Sequence, residues 1–395
     1  MSREQQVDEQ VEHYGDVLRA LARKIHDHPE LRYQEHQAVA FIGEVLEGAS
    51  VVMERSAGGL ATAFRAVAGR RGGPRVAILA EYDALPEIGH ACGHNLIAAG
   101  AVGAFLGLKS MAAELPGQVE LIGTPAEEGG GGKIKLIEAG LFEGLDAAIM
   151  YHPLDRDILL HPALASVWLE MTYRGRPSHA AAAPWDGQSA LTACLDTFRL
   201  IDGQRIHFRD GVRVHGFIKN GGQAVNIVPE RAVAEFSVRA LDTREMERVR
   251  AVVERCARGA ALASGVEVEI AVRQGYRDMR HNIPLAERFG RHLEALGRHP
   301  RREAPEVGAG STDMGDVSHV VPAIHPWLAI CDEGSTTIHQ QAFAASARSD
   351  RGLDTMIVAA KAMARTALDV LWDEELRRQI RASFETSQRE GSMVP

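Results

Sequence analysis

Val76-Ala-Ile-Leu-Ala80-Glu-Tyr-Asp83-Ala-Leu-Pro86 continues through Glu-Ile-Gly-His90-Ala-Cys92-Gly-His94-Asn95. Five apolar residues stop abruptly at a polar cluster, a pattern that suits a short strand buried on both faces. Val119-Glu-Leu-Ile122 and Ala147-Ala-Ile-Met150 repeat it, each ending at polar residues. The stretches between, Ile97 to Leu115 and Lys133 to Ala139, suit helices. The alternation predicts an α/β sandwich, and open α/β sheets place their ligands at strand ends.

Working outward, residues 7 to 28 and 34 to 48 read as helices joined at Pro29, the second with Ala38, Phe41, Ile42, Val45 and Leu46 at helical spacing. From about residue 165 the rhythm becomes strand (166–173), helix (188–201), strand (212–218), strand (232–239), helix (244–263) and strand (266–272). That order is the split ferredoxin-like unit. It is self-contained, so 164–277 reads as an inserted α+β domain. The α/β domain is then discontinuous over 1–163 and 278–395, with Trp327-Leu-Ala-Ile330 as a strand and Leu353 to Trp372 as a closing helix. A chain of 395 residues exceeds what one core usually supports, in keeping with two domains.

Composition narrows the partners. An apolar fraction of 45% and a charged fraction of 25% are those of an ordinary globular protein. A formal charge of -9 without a Lys/Arg-rich run argues against nucleic acid. The start, MSREQQVDEQ, lacks the basic and apolar segments of a signal peptide, and no apolar run approaches the roughly 18 to 20 residues of a membrane span. A cytoplasmic location is the expectation. Cys92, Cys194, Cys256 and Cys331 are too few for a disulfide framework.

Cys92 stands apart because a thiolate and the His94 imidazole two residues on can point at one metal, with Asp83 orienting a ligand from behind. The plainer alternative is a buried thiol beside helix-capping histidines. A second cluster weighs against it: Glu127 and Glu128 follow a predicted strand, and adjacent carboxylates repel unless a cation or a shared proton compensates. On an extended backbone the two would point opposite ways, one toward a metal and one toward substrate. His152 ends another strand and His339 follows a further one. Cys92, His94, Glu128, His152 and His339 thus fall at the ends of predicted strands, and such a mixed N, O and S donor set can hold two divalent ions. In the inserted domain His179, Asn226 and Arg239 offer donors suited to a carboxylate, although Asn-x-x-Pro is also a common turn and a strand arginine is commonly a solvated charge.

Together, His90-Ala-Cys-Gly-His94, Pro125-Ala-Glu-Glu-Gly-Gly-Gly131, Ser178-His-Ala and Asn226-Ile-Val-Pro229 resemble metallopeptidase family twenty in that order, most closely its amidohydrolase branch. The likeness runs from about His28-Pro-Glu-Leu31 to the closing helix. It implies two divalent ions, zinc or manganese foremost with nickel or cobalt as alternatives, held by Cys92, His94, Glu128, His152 and His339, with Cys92 bridging. It implies Glu127 as general base on a water held between the ions, and His179 binding the oxyanion, in this family often from a neighbouring subunit of a dimer formed through the inserted lid. It further implies Asn226 and Arg239 on the substrate carboxylate, the Ser311-Thr-Asp-Met-Gly315 loop lining the pocket, and His215 as a further site residue or a packed strand histidine. The expected substrate is an N-acyl amino acid or an unusual dipeptide. Where most of the family has His-x-Asp, this chain has Glu81-Tyr-Asp83.

Three competitors remain: an N-carbamoyl or ester hydrolase on the same dinuclear site, a non-catalytic relic of the fold, and a cysteine hydrolase centred on Cys92. The last predicts inactivation by iodoacetamide and indifference to a chelator. The dinuclear reading predicts about two metals per chain by plasma mass spectrometry and activity lost on chelation.

Overall fold

The computed structural model describes residues 1–304 and 308–393. The chain divides into two compact units, Met1–Pro162 with Met279–Pro395, and Ala163–Asp278. The second is one residue wider at each end than the pattern of elements suggested.

The first unit is built on a six-stranded mixed sheet in the order Met53–Arg55, Phe64–Gly69, Gln118–Gly123, Arg75–Ala80, Ala147–Ile149 and Ala323–Ile324. The last four run parallel to one another, Arg75–Ala80 lying between Gln118–Gly123 and Ala147–Ile149, and Gln118–Gly123 pairs antiparallel with Phe64–Gly69. A two-stranded parallel ladder pairs His152–Leu154 with Trp327–Ala329. Val76 to Ala80 are all fully buried, as their unbroken apolar run requires. The pattern missed Phe64–Gly69, whose buried positions alternate with more open ones around Arg65, and the very short Met53–Arg55 and Ala323–Ile324.

The helices depart from their expected bounds by a few residues, the closing one spanning Asp350–Trp372, and two departures bear on the core. Residues 7 to 28 are two helices, Arg3–His13 and Gly15–Asp27, parted at Tyr14, where glycine weakens the first turn of the second. The helix expected from Ile97 begins three residues earlier and spans His94–Lys109. It is buried from His94 to Leu108, so no polar face marks its start in the sequence. Its entry is Gly93 at φ 81°, where a Cβ would also meet the Pro153 ring at 2.8 Å. His94 therefore sits on the first helical turn, directly above the sheet edge. At Gly103 the helix meets Leu18 and Ala360 so closely that a Cβ would lie 2.7 Å from a Leu18 methyl. That contact joins the helix to Gly15–Asp27 and Asp350–Trp372 in the core.

The second unit is a four-stranded antiparallel sheet in the order Glu267–Tyr276, Ala165–Arg174, Arg231–Ala240 and Arg213–Asn220. The helices Ala190–Gln204 and Thr243–Ser264 share its core. Among the described residues no helix is long and apolar enough to cross a membrane.

Glu35, fully buried ahead of the helix His36–Gly48, has its carboxyl pushed up from 4.5 to about 7 by burial, with the charge of Asp83 adding to the rise. The folded protein then holds a proton that the unfolded chain releases, so this residue makes stability fall as pH climbs from 4.5 to about 7 and level off above. Glu35→Gln should flatten that decline. Urea midpoints of the two proteins should converge near pH 4 and separate near pH 8, the variant being the more stable there.

Candidate metal centre

The parallel strands deliver the site to one edge of the sheet. Cys92 lies on the turn beyond Arg75–Ala80, Glu127 and Glu128 on the turn beyond Gln118–Gly123, and His152 just beyond Ala147–Ile149. His339 comes back to the same edge, its backbone N–H donating to Ala91 O at 2.9 Å. Cys92 Sγ is 3.5 Å from His152 Nε2 and 3.6 Å from His339 Nε2. Glu128 Oε1 is 3.4 Å from His339 Nε2, and His94 Nε2 is 3.9 Å from Glu127 Oε2. Two donor triads result, Cys92 with His94 and His152, and Cys92 with Glu128 and His339. Cys92 belongs to both.

The rings are aimed from behind. His94 Nδ1 donates toward Asp83, with the backbone oxygen at 2.9 Å and Oδ1 at 3.1 Å, which turns the Nε2 lone pair toward the cluster. Asp83 Oδ2 accepts the Glu128 N–H at 2.9 Å, so one carboxylate aligns a histidine and the glutamate turn. His152 Nδ1 donates to Pro153 O at 2.7 Å, and its ring stacks on Trp327 with centroids 4.0 Å apart.

Glu127 and Glu128 do not diverge as neighbours on a strand would. They occupy a turn entered through Ala126 at φ 61°, and both face the His94 side of the cluster. His339 itself holds φ 65°. Left-handed backbone at side-chain-bearing residues is unfavourable and is characteristic of functional sites.

The sequence pattern singles out neither Glu81 nor Lys133 as a site residue and places Asp313 only within the pocket-lining loop. Lys133, fully buried, donates from Nζ to Glu81 Oε1 and, at 2.6 Å, to Asp313 Oδ1, while its backbone N–H donates to Asp313 Oδ2 at 3.0 Å. Burial depresses this lysine, but Asp313 and Glu81 outweigh it and raise its proton affinity. Nothing in a sequence separates a buried lysine from a solvated one. Glu81 Oε2 lies 3.4 Å from His94 Nε2.

Burial pushes the Glu127 carboxyl well above the usual range, with Glu81 and Glu128 adding to it. Burial and Glu128 do the same to the Cys92 thiol. Burial pushes His152 well down, and His94, although buried, is raised by Glu81 and Asp83. His94 Nε2, Glu81 Oε2 and Glu128 Oε1 are buried atoms without a hydrogen-bond partner. Buried acceptors that face one another need positive charge between them. A borderline divalent cation at each triad fits these thiolate, imidazole and carboxylate donors.

Ser311 Oγ is buried without a hydrogen-bond partner, on the loop that carries Asp313. In the second unit, residues 178–180 pair with 226–228: Ala180 N–H donates to Asn226 O at 2.9 Å, and His179 bridges Ile227. His179 Nδ1 accepts from the Ala181 and Ala182 amides at 3.3 and 3.1 Å, leaving Nε2 as the outward donor of the neutral ring. His215 pairs with Ser237 and Arg239 with Arg213, on the sheet face opposite the buried Val214 and Val238. His215 is exposed there, not packed beneath the sheet.

The sequence pattern of peptidase family M20/M25/M40 matches residues 77–369, the span that carries every donor above. The chain belongs to this family. It is 39% identical to Xaa-Arg dipeptidase of Mus musculus over 98% of this chain and 93% of that protein. To one of the p-aminobenzoyl-glutamate hydrolase subunits of Escherichia coli it is 27% identical over 94% of this chain and 92% of that one. A dinuclear metal-binding peptidase of the family from Bacillus subtilis shares the fold at TM-score 0.70 and 23% identity, covering 91% of this chain and 99% of that structure. The M20 chain described here is accordingly a metal-dependent hydrolase of amide or peptide bonds, which removes the non-catalytic alternative.

Asp83→Asn should leave the fold intact and weaken metal binding by about 10- to 100-fold, because an uncharged amide with one oxygen cannot accept from both His94 and the Glu128 N–H as the carboxylate does. Competition against a chelating dye measures it.

Proposed function

We propose that this protein is a dinuclear amidohydrolase that cleaves the amide bond of a dipeptide or an N-acyl amino acid beside its free carboxylate, with dipeptides ending in arginine the first substrates to try. The observation that carries the reading is the sharing of buried Cys92 by two donor triads beside the Glu127–Glu128 turn. Cys92, His94, Glu128, His152 and His339 would hold the ions, zinc or manganese in the first instance. Two such ions would supply the charge that lowers the pKa of a water and polarises the scissile carbonyl.

Glu127 is the base. Its carboxylate sits on the turn beside His94 and Glu128, a position that suits a group taking a proton from water and returning it to the leaving amine. The products are the free amine of one fragment and the carboxylate of the other. His179, with its Nε2–H outward, suits the developing oxyanion, and Asn226 and Arg239 suit the substrate carboxylate, with His215 and Ser311 as further contacts. A homodimer formed through the inserted unit and a cytoplasmic location belong to the same reading.

The test is hydrolysis of a panel before and after chelation: arginine-ending dipeptides, β-alanyl-lysine, p-aminobenzoyl-glutamate, hippurate, N-acetylcysteine and N-carbamoyl amino acids. Chelator-sensitive cleavage of a dipeptide or N-acyl member supports the proposal, and cleavage of the carbamoyl compounds alone replaces it with a carbamoylase. Glu127→Ala should abolish turnover with about two metals still bound, whereas loss of metal would exchange the roles of the two glutamates. His179→Ala should lower the rate by about 100-fold with the fold unchanged.

A further inference from the structure

Residues 30–35 contribute nothing to the donor cluster, yet they are bonded to both loops that carry it. At one end Glu30 O accepts the Ala84 N–H at 2.8 Å, and Leu31 bridges Ala84, the neighbour of Asp83. At the other end the Tyr33 hydroxyl donates to Gly130 O at 2.5 Å, and Arg32 Nη1 reaches Glu128 O and Gly129 O, each at 3.3 Å. Glu35 Oε1 accepts two backbone amides, Tyr33 and Ala126, each at 2.9 Å.

Those two amides belong to residues in the same unfavourable conformation, Tyr33 at φ 61° and Ala126 at φ 61°. One carboxylate oxygen thus secures both left-handed positions. Glu35 stands at the N-cap of the helix His36–Gly48, but its side chain makes no capping hydrogen bond; it reaches 91 residues along the chain to Ala126 instead. The Tyr33 ring closes the arrangement. A Cβ at Gly130 would come within 2.7 Å of that ring and 2.5 Å of Ala126 Cβ, and Lys135 Nζ lies 4.1 Å from the ring centre. A fully buried carboxylate is costly, as the rise of Glu35 to about 7 reflects.

We propose that Glu35 and Tyr33 are positioning residues for the Glu127–Glu128 turn, clamping Ala126 and Gly130 on either side of it so that both glutamates keep their aim. The inference rests on the catalytic role given above to Glu127. Neither residue touches the donor cluster; they act on it through the backbone.

Hydrogen exchange followed by mass spectrometry, with turnover and metal content of the same preparations, tests it. Glu35→Ala should speed exchange of the 126–130 amides at least about tenfold with the rest of the first unit unchanged. It should lower kcat by about 10- to 100-fold with KM little altered and metal retained. Glu35→Gln, whose amide oxygen can still accept both N–H groups, should restore most of both. Should Glu35→Ala fail to fold, Tyr33→Phe removes only the hydroxyl and should loosen Gly130 with a smaller loss of kcat. Exchange at 126–130 no faster than in the wild type, or faster only together with the whole unit, would overturn the clamp. The exchange measurement needs no substrate, so it stands or falls apart from the panel: a wild type without chelator-sensitive turnover overturns the proposed activity instead.

Discussion

Buried negative charge is the constraint on which the catalytic unit depends. Glu81, Asp83, Glu127 and Asp313 are all buried around Cys92, with Glu128 close by, and Lys133 is the cation that the chain sets against two of them. A low-dielectric pocket does not tolerate such a set of anions unless protons or cations join it. The rise in proton affinity of Glu127 and Cys92 is one expression of this demand, and affinity for divalent ions is the other. The charge that would destabilise an ordinary core is here the source of ligand binding, and Lys133 holds Glu81 and Asp313 in register around it.

The sheet makes that concentration of charge possible. Because Gln118–Gly123, Arg75–Ala80 and Ala147–Ile149 run parallel, their ends open onto one edge, and residues 60 to 247 positions apart along the chain come within hydrogen-bonding range of Cys92. Local strain completes it. Left-handed Ala126 and His339 place donors where regular backbone would turn them away, and they persist because neighbours such as Glu35 and Ala91 bind the adjoining amides. The second unit solves a different problem on its own four-stranded sheet. Its core faces the helices, its other face carries His215 and Arg239, and its loops bring His179 beside Asn226.

Apolar runs, helical spacing and motif order determine much of this protein. Val76–Ala80 and Ala147–Met150 announce buried strands because a strand covered on both faces has no polar register to interrupt it, whereas Val119–Ile122 carries the buried Glu120, which Arg65 and Arg75 neutralise. The strand and helix rhythm between about 165 and 276 defines the inserted unit, and residue type with motif order singles out Cys92, His94, Glu127, Glu128, His152 and His339 as candidate site residues. Tertiary structure decided the rest. The start of the His94 helix is invisible in a segment buried all round, and the break at Tyr14 lies inside one continuous helical pattern. The turn at Glu127 and Glu128 replaces the extended alternation that adjacency alone implies, since a positive φ at an alanine has no sequence signature. Lys133, Asp313 and Glu35 read as ordinary charged residues until burial is known. Apart from Tyr33 beside Glu35, their partners lie 52 to 180 residues away in sequence, and only the folded chain removes the water that would otherwise satisfy them.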